Sequence, residues 1–281
     1  MAINNINLYN HFHNGDIFYS RVLMQAFDSK FNINYYHSNL NLFEDMDNVS
    51  EFLYIPSEYS IHENFIHNNT VNTWIGQNGF THVHTATPGC SFENYFSLVK
   101  IILNHLNIEI KNPEDYLPEI NFEKLKDLDI IYDKISSLRK QYKKLILISS
   151  GPVHSAQSFN FDFHQIMINI CNQNPNVLIL STMDYGNMPE NFINTSFITK
   201  KIPDLLQISY ISKFCDIIIG RASGPFCFCH TKENLLNPDK TFISICNNES
   251  EGKWFQSSKA LQKWTNNYDP CYITNLINSS I

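Results

Sequence analysis

Four short runs constrain this chain more than anything else in it. They are Lys144-Leu-Ile-Leu-Ile-Ser149, Asn176-Val-Leu-Ile-Leu-Ser181, Asp216-Ile-Ile-Ile-Gly220 and Thr241-Phe-Ile-Ser-Ile-Cys246. A strand with one wet face alternates apolar and polar residues, whereas a strand covered on both faces has no need to. Three of these runs hardly alternate, and helix-period segments lie between them. Phe161 to Cys171 is one. Pro203 to Phe214 is another, with Leu205, Leu206, Ile208, Ile211 and Phe214 on one stripe. Strand-helix alternation of this kind predicts a parallel sheet with helices on both faces.

The first half carries a weaker version of the same pattern. Ile3 to Phe12, Asn32 to His37, Glu51 to Ile55 and Val71 to Ile75 read as strands, and Phe92 to Leu106 as an amphipathic helix. Residues 107–122 hold Pro113 and Pro118 among acidic and polar neighbours, as a linker does. A charged helix follows over 123–141, Ser196 to Lys200 reads as a weak strand, and Thr241 to Cys246 as the last one. The expectation is an α/β chain of two lobes, 1–115 and 116–281. At 281 residues, 43% hydrophobic, it can bury a core in each.

The net charge of −7 is spread without long runs, which argues against nonspecific nucleic-acid binding and against a membrane-surface helix. No stretch reaches the length of a transmembrane span. The first residues show no secretion signal, and seven cysteines without a dense framework suit a reducing compartment. A cytoplasmic protein is expected.

Ligands of open parallel sheets bind beyond the carboxyl ends of the strands. The first such position is His13-Asn-Gly-Asp16, a turn into a helix. Asp16 there is either a helix cap or a general base. Ser149-Ser150-Gly151 and Gly220-Arg-Ala-Ser-Gly-Pro225 end two of the buried runs. Their small residues let backbone N–H groups approach an anion, and Arg221 could add charge. Plain βα turns remain the alternative.

Three pieces together resemble glycosyltransferase family 9, the ADP-heptose:lipopolysaccharide heptosyltransferases and their relatives. They are Gly15-Asp16 opening the first helix, the run Asp204-Leu-Leu-Gln-Ile-Ser-Tyr-Ile-Ser-Lys-Phe-Cys-Asp-Ile-Ile-Ile-Gly220, and the turn Ser223-Gly224 after it. Their order and distances are similar to the family's over most of the chain. The resemblance implies a GT-B fold of two facing Rossmann-like lobes. It implies transfer of a sugar from a nucleotide-diphospho-sugar to a saccharide or other hydroxyl acceptor, without a metal or other cofactor. It places the catalytic base on Asp16. The donor diphosphate falls on Ser149, Ser150, Gly151, Arg221, Ser223, Gly224 and Pro225. The acceptor side falls on His13, Asn14, Gly15 and Arg21. Family members often carry an acidic residue before the Ser/Thr-Gly pair and a histidine soon after it. Here those positions are Ala222 and Cys227.

Other side-chain groupings could carry chemistry. His11 with His13, His82 with His84, and Cys227-Phe-Cys229-His230 offer metal-ligating groups, but not the usual structural-zinc spacing. Tyr35, Tyr36 and His37 could line a groove or pack a core. Arg21 could pair with Asp16, meet an acceptor anion, or lie on the surface. Trp254 and Phe255 could stack on a base or close the core. A silent GT-B scaffold that binds a nucleotide or a protein is the alternative function. A dinucleotide-dependent oxidoreductase is disfavoured by the lack of Gly-x-Gly-x-x-Gly after the first strand.

Overall fold

A computed structural model describes residues 4–10, 14–27, 31–53, 66–67, 70–73, 103–104, 106–108, 117–153, 158–200, 204–221, 223–249, 255 and 257–281. His11, His13, His82, His84, Ala222 and Trp254 lie outside them, as do most of the expected helix 92–106 and half of the expected linker 107–122. The chain divides into two compact units, Met1–Leu125 and Lys126–Ile281.

In the first unit, β1 (Asn4–Asn10) runs parallel to β2 (Phe31–His37), and β2 to β3 (Val49–Phe52). On its other side β1 runs parallel to β5 (Thr70–Asn72), which carries the short antiparallel β4 (Ile66–His67). The sheet order is β3-β2-β1-β5-β4. The helical segment after β1 is broken at Ser20 into α1 (Asn14–Tyr19) and α2 (Arg21–Phe27). Ile17, Phe18, Val22, Leu23 and Phe27 of the helices are buried, as are Leu8, Ile33 and Tyr35 of the strands. Ser20 causes the break through its side chain. Its Oγ donates to the Ile17 carbonyl at 2.6 Å, a local bond that bends a helix.

The second unit opens with α3 (Leu128–Gln141), entered through Asp127 in the left-handed region at φ 62°. The charged helix therefore starts later than its composition suggests, after a 3-10 turn at Phe122–Lys124. The strands are β6 (Lys144–Ser149), β7 (Val177–Ser181), β8 (Phe192–Asn194), β9 (Ile217–Gly220), β10 (Thr241–Ile245) and β11 (Leu261–Thr265). All pair in parallel, in the order β11-β10-β9-β6-β7-β8. Counted from the first strand of the unit, this is the doubly wound order 3-2-1-4-5-6. On one face, Ile146, Ile148, Ile217, Ile219, Ile243 and Ile245 pack against α4 (His164–Gln173) and α8 (Pro270–Asn278). The other helices are α5 (Leu205–Ser212), α6 (Gly224–Cys227) and α7 (Lys232–Leu235).

Two expectations are corrected here. The weak strand at Ser196 to Lys200 is instead a 3-10 turn at Thr195–Phe197, and the edge strand lies just before it, at β8. Asn194 forces the turn by accepting from the Ser196 N–H at 2.8 Å. Thr241 to Cys246 is not the last strand, since β11 follows and pairs along its whole length.

Candidate functional site

The doubly wound order places a switch point between β6 and β9. Connections leave these two neighbouring strands in opposite directions, which opens a crevice at their carboxyl ends. Ser149 ends β6 and Gly220 ends β9, and the two residues are register partners. The turns that follow them meet. Ser149 Oγ lies 3.0 Å from Ser223 Oγ. Ser150 Oγ lies 3.0 Å from Ser181 Oγ at the end of β7, and the Ser150 N–H donates to Thr182 Oγ1 at 3.2 Å. Ser149 and Ser150 are buried, whereas Gly151, Ser223, Gly224 and Pro225 are partly exposed.

Ser223 stands at the N-cap position of α6, but its side chain makes no cap bond. The hydroxyl is turned to Ser149 instead. The first N–H groups of a helix have no carbonyl within the helix to bond to. Pro225 supplies the helical φ without an N–H of its own. Gly220 is required by packing: a Cβ there would meet the Phe226 ring at 2.7 and 2.8 Å. Phe226 thereby seats α6 directly on the strand end.

Arg221 does not do what its charge suggests. It is 3% exposed. Its Nη1 donates to the carbonyls of Ser150 at 2.7 Å and Gly151 at 2.8 Å, and its Nη2 donates to the Phe161 carbonyl. The guanidinium lies 4.7 Å from the Phe161 ring centre and 4.9 Å from that of Phe163. Burial lowers its pKa. Arg221 is a staple that fixes the 149–151 turn, and direct contact with a diphosphate is corrected to this supporting role.

A cavity of about 550 Å³ opens beyond β7 and β8, between Asp184 on one side and Phe192, Asn194 and Phe197 on the other. Sequence reading missed it, because its floor is the short edge strand that was misplaced.

In the first unit, Gly15 is buried and Asp16 is partly exposed in the first turn of α1. Burial of the carboxyl pushes the Asp16 pKa up from 3.8 to about 6, and a bond from its own N–H only partly offsets this. Asn14 Oδ1 accepts from Asn39 Nδ2 at 2.5 Å, which ties the turn to the segment after β2. Arg21 is not at the site. It is fully buried and grips both carboxylate oxygens of Asp45, at 2.6 and 3.0 Å. It also donates to the Leu42 carbonyl at 2.7 Å and the Glu119 carbonyl at 2.9 Å. The acceptor contact expected of Arg21 is corrected to this buried structural role, since the side chain has no exposed surface and both of its Nη groups are bonded inside the fold.

Tyr35 is core, with no exposed surface, and so is Phe255. Cys227, Cys229 and His230 are all buried. His230 packs among Phe226, Phe242 and Phe255, with ring centres 4.8, 4.9 and 5.3 Å away. Burial pushes its pKa down to about 3. Among the described residues no three His, Cys, Asp or Glu side chains are grouped to hold a metal ion. Nor is any described helix long and apolar enough to cross a membrane.

No protein-family model matches the sequence, and no curated protein matches it. Solved structures do. A glycosyl transferase family 9 protein from Veillonella parvula superposes with a TM-score of 0.55 at 10% identity, over 99% of this chain and 92% of that one. The E. coli heptosyltransferase WaaC, solved with ADP, superposes with a TM-score of 0.51 at 5% identity, over 99% and 100%. The fold is GT-B-like. At such identities the likeness is one of architecture, and it agrees with the two α/β units and their parallel sheets. A fold carries no chemistry by itself, so what Asp16 and the turns after β6 and β9 can do rests on the residues themselves.

Proposed function

We propose that this GT-B-like protein is a glycosyltransferase that uses a nucleotide-diphospho-sugar. The observation that carries the reading is the junction of the two turns at the β6–β9 switch point, with Ser149 Oγ 3.0 Å from Ser223 Oγ. Small residues, hydroxyls and first-turn N–H groups converge there, as an anionic leaving group requires. The diphosphate is assigned to Ser149, Ser150, Gly151, Ser223, Gly224 and Pro225, with Arg221 behind them. The nucleoside end is assigned to the cavity past β7 and β8. Asp16 is the base that takes the proton from the acceptor hydroxyl, whose oxygen then attacks the anomeric carbon as the diphosphate departs. The amides and hydroxyls of the turns hold the charge, so no metal is needed. The acceptor, a saccharide or another alcohol, lies on the side of Asn14 and Gly15.

The test combines calorimetry with nucleoside diphosphates and transfer assays with a panel of nucleotide-sugars and hydroxyl acceptors. Asp16→Asn is expected to lower transfer by at least a hundredfold while leaving diphosphate affinity within about twofold. Chelator treatment is expected to leave transfer unchanged. No binding of any nucleoside diphosphate would overturn the reading.

A second reading, a binding scaffold without turnover, has an observation in its favour. Cys227 replaces an imidazole, and the nearby His230 cannot substitute, since it is buried among aromatic rings and held neutral. Nucleotide binding with no transfer from any donor would decide for that reading.

A further inference from the structure

Behind Asp16 lies a row of buried hydroxyls. Tyr35 Oη is 2.8 Å from Ser20 Oγ and 2.9 Å from Thr73 Oγ1. Ser20, Tyr35 and Thr73 are each fully buried. The proton positions can be assigned by counting, since a hydroxyl has one hydrogen. Ser20 gives its hydrogen to the Ile17 carbonyl at 2.6 Å. Its oxygen can therefore only accept from Tyr35. Tyr35, having donated to Ser20, must accept from Thr73. The longer approach of Thr73 Oγ1 to the Tyr9 carbonyl, 3.3 Å, takes at most a share of that last hydrogen. The row runs in one direction, Thr73 to Tyr35 to Ser20 to the Ile17 carbonyl.

This row joins β5, β2 and the bend between α1 and α2. The Ser20 N–H donates to the Asp16 carbonyl at 3.3 Å, so the bend is bonded to the residue proposed as base. Asp16 is also close enough to Tyr35 to raise the Tyr35 pKa, after burial, which is the larger cause, and alongside Glu51. A bend made by one serine would be soft by itself. Here it is held by a tyrosine with no exposed surface, bonded to Ser20 and Thr73.

We propose that Tyr35, through Ser20 and Thr73, is a positioning residue that sets the orientation and local polarity of the Asp16 turn. The inference rests on Asp16 being the base, so its test reads Asp16 directly as well as any activity. Tyr35→Phe removes the middle oxygen and leaves Ser20 without its donor. The environment of Asp16 becomes more apolar, which favours its neutral form. Carbon-13 NMR of the Asp16 carboxyl, assigned by its loss in Asp16→Asn, gives the titration midpoint in the full chain.

Tyr35→Phe is expected to raise that midpoint by at least half a pH unit, and Thr73→Val by less. Ile33→Val, a core truncation on the same strand with no hydroxyl involved, is expected to lower stability without moving the midpoint. If Tyr35→Phe leaves the midpoint in place, or Ile33→Val moves it as far, the positioning role is overturned. A wild-type midpoint near 3.8 would count against Asp16 as the base, whereas the hydroxyl row is judged by the difference between variants. Where transfer is measurable, Tyr35→Phe should lower kcat several-fold with KM nearly unchanged, since Tyr35 is sealed from any substrate.

Discussion

Removing the Arg21 guanidinium would leave the Asp45 carboxylate charged where no water reaches it. Breaking such a buried pair typically costs about 3–5 kcal/mol, more than forming it ever gained. Arg21→Ala should lose that much in urea denaturation, and the Asn121 N–H that Asp45 also accepts, at 2.9 Å, should become labile. Asp16 makes the opposite kind of prediction, on rate. With a pKa of about 6 it is ionised at neutral pH and protonated in mild acid. The proposed base must be unprotonated, so kcat/KM should fall tenfold per pH unit below about 6 and level off above it. The two residues also mark the limit of reading a sequence. The Gly-Asp turn was legible because its neighbours are local: a strand before it and a helix after it. Arg21 and Arg221 were not, because their partners lie 21 to 98 residues away, and a charge in a string does not show whether it will be sealed in.

At the scale of elements, the end of α5 depends on a single amine. Lys240 is 4% exposed, and its Nζ donates to the carbonyls of Ser212 at 2.9 Å, Lys213 at 2.8 Å and Cys215 at 2.6 Å. Those carbonyls close a helix and start the turn into β9, and besides Lys240 the Ser212 carbonyl accepts from the Cys215 N–H at 3.2 Å. A cation there also meets the negative end of the helix dipole. Lys240→Met keeps the stem but removes the amine from all three carbonyls. It should cost about 2–3 kcal/mol in denaturant unfolding. The run from Asp204 to Gly220 reads as helix and strand, yet this cap does not show in it, since it arrives from beyond the strand. Strands buried on both faces, such as β6, β7 and β9, were plain in the sequence because nothing in them is polar enough to confuse the pattern. β11 escaped notice for the converse reason. It is an edge strand, with Leu261 exposed and Gln262 and Lys263 half-buried, so its composition is mixed. The helix after it is absent from the sequence reading too, although Asp269 caps Tyr272 N at 2.8 Å and Pro270 takes the first turn, a start signal present in the letters Asp-Pro.

For the whole molecule, acid should act on the two units in opposite senses. Asp16 belongs to the unit Met1–Leu125 and His230 to Lys126–Ile281. The Asp16 pKa is raised on folding, from 3.8 to about 6, so the folded unit binds the proton first. That contribution to stability is complete below 3.8 and is lost as pH rises through 6. The His230 pKa is lowered on folding, from 6.5 to about 3, so the unfolded chain binds the proton first. That contribution is complete above 6.5 and is lost as pH falls toward 3. Between pH 7 and pH 5 the His230 effect alone amounts to about 2 kcal/mol against the second unit. In the same unit burial raises Asp204, while Asp216 is lowered by Arg139 and the Leu145 N–H despite its own burial; these two pull in opposite directions. Hydrogen exchange at pH 7 and pH 5, corrected for the intrinsic rate, should therefore show β6 and β9 losing protection in acid while β1 and β2 hold or gain it. His230→Phe, which keeps an aromatic ring in the Phe226–Phe242–Phe255 nest, should abolish the loss in the second unit and leave the first unchanged. Equal acid response of β6 in the variant and the parent would show that the imidazole is not what couples this unit to pH.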